Sequence, residues 1–291
     1  MNIIKTIRTL LFFSLLSLSI SVFAEPIKLI VPYPAGGFFD VYARLMQKVG
    51  KEKGYDIVVI NRPGAEGVLG AYDIINEKSD NTIAIVSYAV FSYKALESEQ
   101  LKKGILSLTP IVDVGKTTIV FYSNSKSKFQ KWEDFEKVLK SSDNINIGTF
   151  SPAVKVVVNE IFGNRPNINY IPYNGEKPVI TDILNGSLDI GTSTYPGTIS
   201  LIKSGAINGL VITSGSNPYM PKLSELGYHD KIPEIISGLF MRPGASDVGK
   251  EKMKEIFTAI LNSPEIMEYR KENDVEVPHI SLKEAVEKKL K

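Results

Sequence analysis

Ile27-Lys28-Leu29-Ile30-Val31-Pro32-Tyr33-Pro34-Ala35-Gly36-Gly37-Phe38-Phe39-Asp40 is the stretch on which the fold turns. Its first five residues form a near-continuous apolar run, the pattern of a strand covered on both faces. Beyond the turn, Val41, Leu45 and Val49 recur every four residues and predict a helix ending near Gly50 or Gly54. The two glycines between them let a backbone come close to a ligand. The helix start beyond offers unpaired N–H groups, and the helix dipole favours an anion there. A plain tight turn with Asp40 capping the helix accounts for the same residues equally well. No Gly-Lys-Ser/Thr follows, and no third glycine completes a dinucleotide fingerprint.

The same alternation runs outward along the chain. Strands are expected at 57–60, 82–86, 118–122, 145–147, 188–190, 210–213 and 235–240. Helical spacing appears around Trp132, Phe135 and Leu139, and at 152–162, 179–184, 250–261, 264–272 and 282–290. Strand–helix alternation predicts parallel sheets with helices on both faces. No Gly/Ser-rich linker divides the chain, so two domains would have to be joined by segments that cross between them.

The first residues read as an export signal. Lys5 and Arg8 precede an uncharged apolar stretch over 10–22, and Val22-Phe23-Ala24 places small residues for cleavage before Glu25. A membrane span needs about 20 apolar residues, more than this stretch supplies. With no cysteine in the chain, disulfides, a lipid anchor, thiolate metal sites and a cysteine nucleophile are excluded. Two of the 34 Lys+Arg lie in the leader and none of the 32 Asp+Glu does, so the remaining charges balance. That balance argues against nucleic acid as a partner.

Other turns follow strands in the same way. Asn61-Arg62-Pro63-Gly64-Ala65-Glu66-Gly67 has the composition of a structural turn braced by Arg62. In Gly148-Thr149-Phe150-Ser151-Pro152, serine followed by proline predicts a helix start with Ser151 as N-cap and Pro152 as the first helical residue. The amides of Ala153 and Val154 would face whatever lies before that helix. Ser87-Tyr88, Tyr173-Asn174-Gly175 and Ser193-Thr194-Tyr195 sit near strand ends, where ligands of open α/β sheets bind. Catalytic groups are scarce. His229 and His279 are the two histidines, far from the glycine turns, and no nucleophile elbow or metal-spaced cluster appears. Binding without catalysis, cofactor or metal is expected.

Assembled in order, these segments resemble the substrate-binding receptors of tripartite tricarboxylate transporters, the Bug proteins. The resemblance rests on Val31-Pro32 through Gly36, Gly37 and Asp40 to Ala43-Arg44, and on Asn61-Arg62-Pro63-Gly64-Ala65 through Gly67 to Gly70. It continues through Pro172-Tyr173-Asn174-Gly175, through Asp182 to Asp189, and through Gly238-Leu239-Phe240 with Arg242-Pro243-Gly244. It implies a type II periplasmic-binding fold, two α/β lobes with crossover segments and a ligand cleft between them. The implied division is a signal at 1–24, lobe one at 25–117 and 225–291, and lobe two at 118–224. The implied function is capture of a small organic carboxylate in the periplasm and delivery to a membrane permease, with the receptor a monomer. A sensor for a periplasmic signalling kinase, or a hydrolase on a similar scaffold, are the alternatives. Expected ligand contacts are Ala35, Gly36, Gly37, Phe38, Phe39, Asp40, Ser87, Tyr88, Thr149, Phe150, Ser151, Ala153, Tyr173 and Thr194. The chain departs from the family pattern at Phe38-Phe39, where Ser/Thr are common, and at Phe150, Pro152 and Val156. Phenyl rings in the cleft would favour a carboxylate with an apolar body.

Overall fold

The computed structural model describes residues 25–64, 67–87, 99–150, 154–155, 158–159, 163–215, 217–228 and 235–277. The expected leader, Tyr88, Ser151, Ala153, both histidines, the helix at 282–290 and most of the helix at 152–162 lie outside these residues.

The chain opens with β1 (Ile27–Val31), α1 (Phe38–Glu52), β2 (Ile57–Asn61), α2 (Val68–Ile75) and β3 (Thr82–Ser87). Next come α3 (Glu99–Leu106) and β4 (Thr109–Thr117). A second series contains β5 (Ile119–Asn124), α4 (Trp132–Lys140), β6 (Ile145–Thr149), β7 (Ile168–Pro172) and α5 (Glu176–Leu184). It ends with β8 (Ile190–Thr194), α6 (Tyr195–Lys203) and β9 (Ile207–Ile212). A short 3-10 turn at Leu223–Leu226 leads back to β10 (Ile235–Met241), α7 (Asp247–Leu261) and α8 (Pro264–Glu272).

The strands form two five-stranded sheets, ordered β2-β1-β3-β10-β4 and β7-β6-β8-β5-β9. Both follow one scheme: three parallel strands, then one reversed strand, then an outer one. The expectation of parallel sheets is therefore corrected to mixed sheets. The reversed strands, β10 and β5, are the ones that arrive from the other sheet, entering from the opposite end.

Alternate strand residues face opposite layers. In the first sheet, Leu29, Val31, Ile83 and Ile85 pack with Tyr42, Met46 and Phe257. On its other face, Ile30, Ala84 and Val86 meet Ala71, Ile74 and Ile105. The second sheet buries Phe121, Ile147 and Ile190 against Trp132 and Phe135, and Val120 and Tyr122 against Val179, Ile183 and Ile199. Each buried Val, Leu, Ile, Phe or Met among them contributes about 1.5–3 kcal/mol relative to exposure. Two double-faced cores make two lobes.

One residue, Thr118, separates β4 in the first sheet from β5 in the second. The chain returns through 213–234, and near its end Glu276 pairs with Lys116 through both backbone bonds (2.7 and 3.0 Å) and a 2.9 Å ion pair. Helix 264–272 matches expectation, with Ser263 accepting from the Ile266 amide at 3.3 Å. β4 escaped the sequence reading because Pro110, Asp113, Gly115 and Lys116 interrupt its apolar pattern. α6 escaped it because Pro196-Gly197 after Tyr195 has turn composition.

Candidate functional site

The turn after β1 is held from within its own lobe. Gly36 sits at φ +77, a conformation only glycine adopts without strain. Its N–H donates to Asp40 Oδ2 at 2.7 Å, Arg44 Nε donates to the same oxygen at 3.0 Å, and Asn61 Nδ2 donates to Oδ1 at 2.9 Å. Burial pushes the Asp40 carboxyl up, but the bonds from Arg44, Gly36 and Asn61 outweigh it and hold it below the usual carboxylate range. The helix N-cap is Gly37, which has no side chain to cap with. Asp40 is the brace of the turn.

Rings run inward from this turn. Tyr33 stacks on Phe39 at 4.5 Å, Phe39 meets Phe38 at 4.9 Å, Phe38 stacks on Tyr42 at 5.7 Å, and Tyr42 on Tyr269 at 5.3 Å. The far end is pinned by Arg270, whose Nε donates to the Tyr42 hydroxyl at 2.8 Å and whose Nη2 donates to the Val114 carbonyl at 2.7 Å. Phe38 and Phe39 are therefore both core residues and wall residues.

The facing turn comes from the second lobe, after β7. Gly175 sits at φ +98, and a methyl there would come within 3.1 Å of Pro34 Cγ in the first lobe. The Tyr173 hydroxyl bonds the Asp182 carboxylate, and burial together with that neighbour pushes the phenol up to about 12. Glu176 follows as the first residue of α5, buried at 8% exposure. Its Oε1 accepts the Thr194 N–H at 2.8 Å, and its carboxylate also accepts the N–H of Phe38 across the cleft. Lys177 extends over Gly36, so that a side chain on that glycine would collide with Nζ.

Between the turns lies a cavity of about 50 Å³. The first lobe supplies Tyr33, Pro34, Ala35, Gly37, Phe38 and Phe39 to its wall; the second supplies Phe150, Asn174, Gly175, Glu176, Lys177 and Pro178. A depression of about 660 Å³ beside Arg44, Lys48, Lys51 and Tyr55 is larger but lies on one lobe's open surface. Among the described residues no group of three or more His, Cys, Asp or Glu could hold a metal ion.

Of the expected contacts, Ala35, Gly37, Phe38, Phe39 and Phe150 line this cavity, and Gly36 lies under Lys177. Five others stand behind it. Asp40 is engaged by its brace, Ser87 bonds the Tyr33 hydroxyl, and Tyr173 bonds Asp182. The Thr149 carbonyl takes the Tyr173 amide at 2.9 Å, and Thr194 gives its amide to Glu176. None of these five is among the residues that line the cavity, and each bond named here is made within the protein. Tyr88, Ser151 and Ala153 lie outside the described residues. Glu176 and Lys177 were missed, although a charged pair directly after a strand-end Asn-Gly turn was a signal for them.

Two lobes built on one strand scheme, joined by crossing segments and meeting at a cavity between strand-end turns, define the type II periplasmic-binding fold. The model of the tripartite tricarboxylate transporter family receptor matches residues 41–287, and the chain belongs to that family. The BugT protein of Bordetella pertussis is 29% identical over 239 residues, 74% of this chain and 68% of the relative. The structure of the periplasmic binding protein BugD superposes with TM-score 0.80 at 23% identity, covering 91% of this chain and 94% of the other. MatC of Rhodopseudomonas palustris, solved with bound malate, gives TM-score 0.79 at 18% identity over 91% and 96% of the two chains. The two structures share the fold.

Proposed function

We propose that this chain is a periplasmic receptor that closes its lobes on a small organic carboxylate and hands it to a tripartite tricarboxylate-type permease. The observation that carries this reading is the shared cavity: each lobe contributes half of the wall, so the site is complete only when the lobes meet. A cavity of about 50 Å³ is below the roughly 300 Å³ at which small-molecule pockets begin, so a ligand enters an opened cleft. Malate bound to MatC supports a carboxylate as the ligand class. Tyr33, Phe38, Phe39 and Phe150 favour a carboxylate with an apolar body, since burying that body contributes about 25 cal/mol per Å².

In this reading the moving bodies are 25–117 with 225–291, and 118–224, hinged at Thr118 and the returning segment. The receptor works as a monomer, without turnover, after removal of residues 1–24. No helix among the described residues is long and apolar enough to cross a membrane. A thermal-shift screen of organic acids tests the proposal. A true ligand at 100 times its dissociation constant stabilises by about 2.7 kcal/mol and reduces the radius of gyration in solution scattering. If no acid shifts the transition and the dimensions never change, the proposal fails.

A further inference from the structure

Glu176 occupies a seat that the folded chain has built for an anion. Its carboxylate lies before two helix starts at once, taking the Phe38 N–H of α1 and, at 2.8 Å, the Thr194 N–H at the start of α6. Gly197 in the first turn of α6 makes the room, since a Cβ there would stand 2.5 Å from Oε2. Helix N-termini favour negative charge. The position is nonetheless incomplete electrostatically, because no Lys, Arg or His forms an ion pair with Glu176 among the described residues. Burial pushes its carboxyl up, and the bonds from Thr194 and Phe38 only partly oppose this. Buried charges are ordinarily paired.

The cavity offers the missing partner's place. Glu176 is part of its wall together with Phe38, Phe39 and Phe150. Lys177 presents the opposite charge over Gly36, itself without an ion pair among the described residues. A second carboxylate on the ligand would face Glu176 as a like charge. A protonated amine would complete it, while the ligand carboxylate meets Lys177.

We infer that Glu176 is the specificity-determining residue of the cleft and selects a carboxylate that also carries a protonated amine: an amino acid with an apolar side chain, in preference to di- or tricarboxylic acids. The inference rests on the carboxylate reading given above.

Calorimetry on the purified receptor tests it with three matched series. These are phenylalanine and leucine, their deaminated acids 3-phenylpropionate and 4-methylpentanoate, and their decarboxylated amines, with succinate and citrate alongside. Charge-assisted bonds predict about 10- to 100-fold tighter binding of the amino acids than of the deaminated acids. Glu176→Gln should erase that preference. Deaminated acids or succinate binding as tightly as the amino acids on wild type overturns the inference and leaves the carboxylate reading standing. Amines that bind where no carboxylate does overturn the carboxylate reading and leave the role of Glu176 standing. Silence across the whole panel overturns both. The wild-type ranking decides the matter even if the variant does not fold.

Discussion

Asp40 and Glu176 are buried carboxylates near the start of a helix, one in each of the two turns that face each other across the cleft. Asp40 keeps a cation, Arg44, and two further donors, all from its own lobe. Glu176 is held by Thr194 and, from the opposite lobe, by the backbone N–H of Phe38, with no cation among the described residues. The first carboxylate is finished by the fold. The second is left open on the side of the cavity. Burial by itself therefore says little about what a charged group does; the origin and completeness of its partners says more.

The comparison breaks first at Asp40. Asp40→Ala strands the Gly36 amide and the buried end of the Arg44–Asn61 network, and should cost about 2–3 kcal/mol. For a chain of this size that is a fall of about 5–10 °C in melting temperature. Ligand affinity of the folded variant should change less than about threefold. Unchanged stability with lost binding would make Asp40 the functional carboxylate instead.

Gly197→Ala sharpens the other side. Overpacking against a carboxylate oxygen 2.5 Å from the new Cβ should cost about 1–3 kcal/mol. In a Glu176→Ala background the same change should be neutral or stabilising, since alanine is favoured over glycine in a helix by about 1 kcal/mol. Urea denaturation of the four proteins gives the coupling. No coupling would mean that Gly197 does not make room for Glu176.

Acidity separates the two carboxylates by sign. Asp40 is held below its ordinary 3.8, so the stability it contributes is present above that pH and lost as pH falls through the folded value. Glu176 is raised above its ordinary 4.5, so the folded state retains that proton longer. Stability should decline as pH rises from there through the folded value. Denaturation between pH 3 and 8 should show both limbs, with Asp40→Asn flattening the acid one and Glu176→Gln the other. Identical profiles for wild type and Glu176→Gln would remove the contrast. The smallest effect is expected at exposed Lys177: Lys177→Met should alter ligand-free stability by less than about 0.5 kcal/mol.

Much of this is legible in the sequence itself. The Ile27–Val31 run, the glycine turn after it and the helix at 264–272 follow from periodicity and cap chemistry, which are local. What stayed hidden depends on partners distant in sequence. Tyr173 and Thr194 look alike in the sequence, and their bonds to Asp182 and Glu176 are visible only in the fold. Glu176 itself looks like an ordinary acidic residue in a first helical turn until Phe38, 138 positions earlier, is seen to donate to it. Strand direction was equally non-local, since β5 and β10 are reversed by the path between sheets.

β10 lies between β3 and β4, so the first sheet has its fourth strand only after residues 235–241 exist. All strands of the second sheet, by contrast, lie in the unbroken stretch from Ile119 to Ile212. A chain emerging from its amino end can therefore complete the second lobe while the first still carries two open strand edges, at β3 and β4. Such edges are templates for pairing with other chains, and long-range pairings form slowly. Assembly thus has a direction, with the later-encoded lobe finished first and the earlier one waiting for its keystone strand.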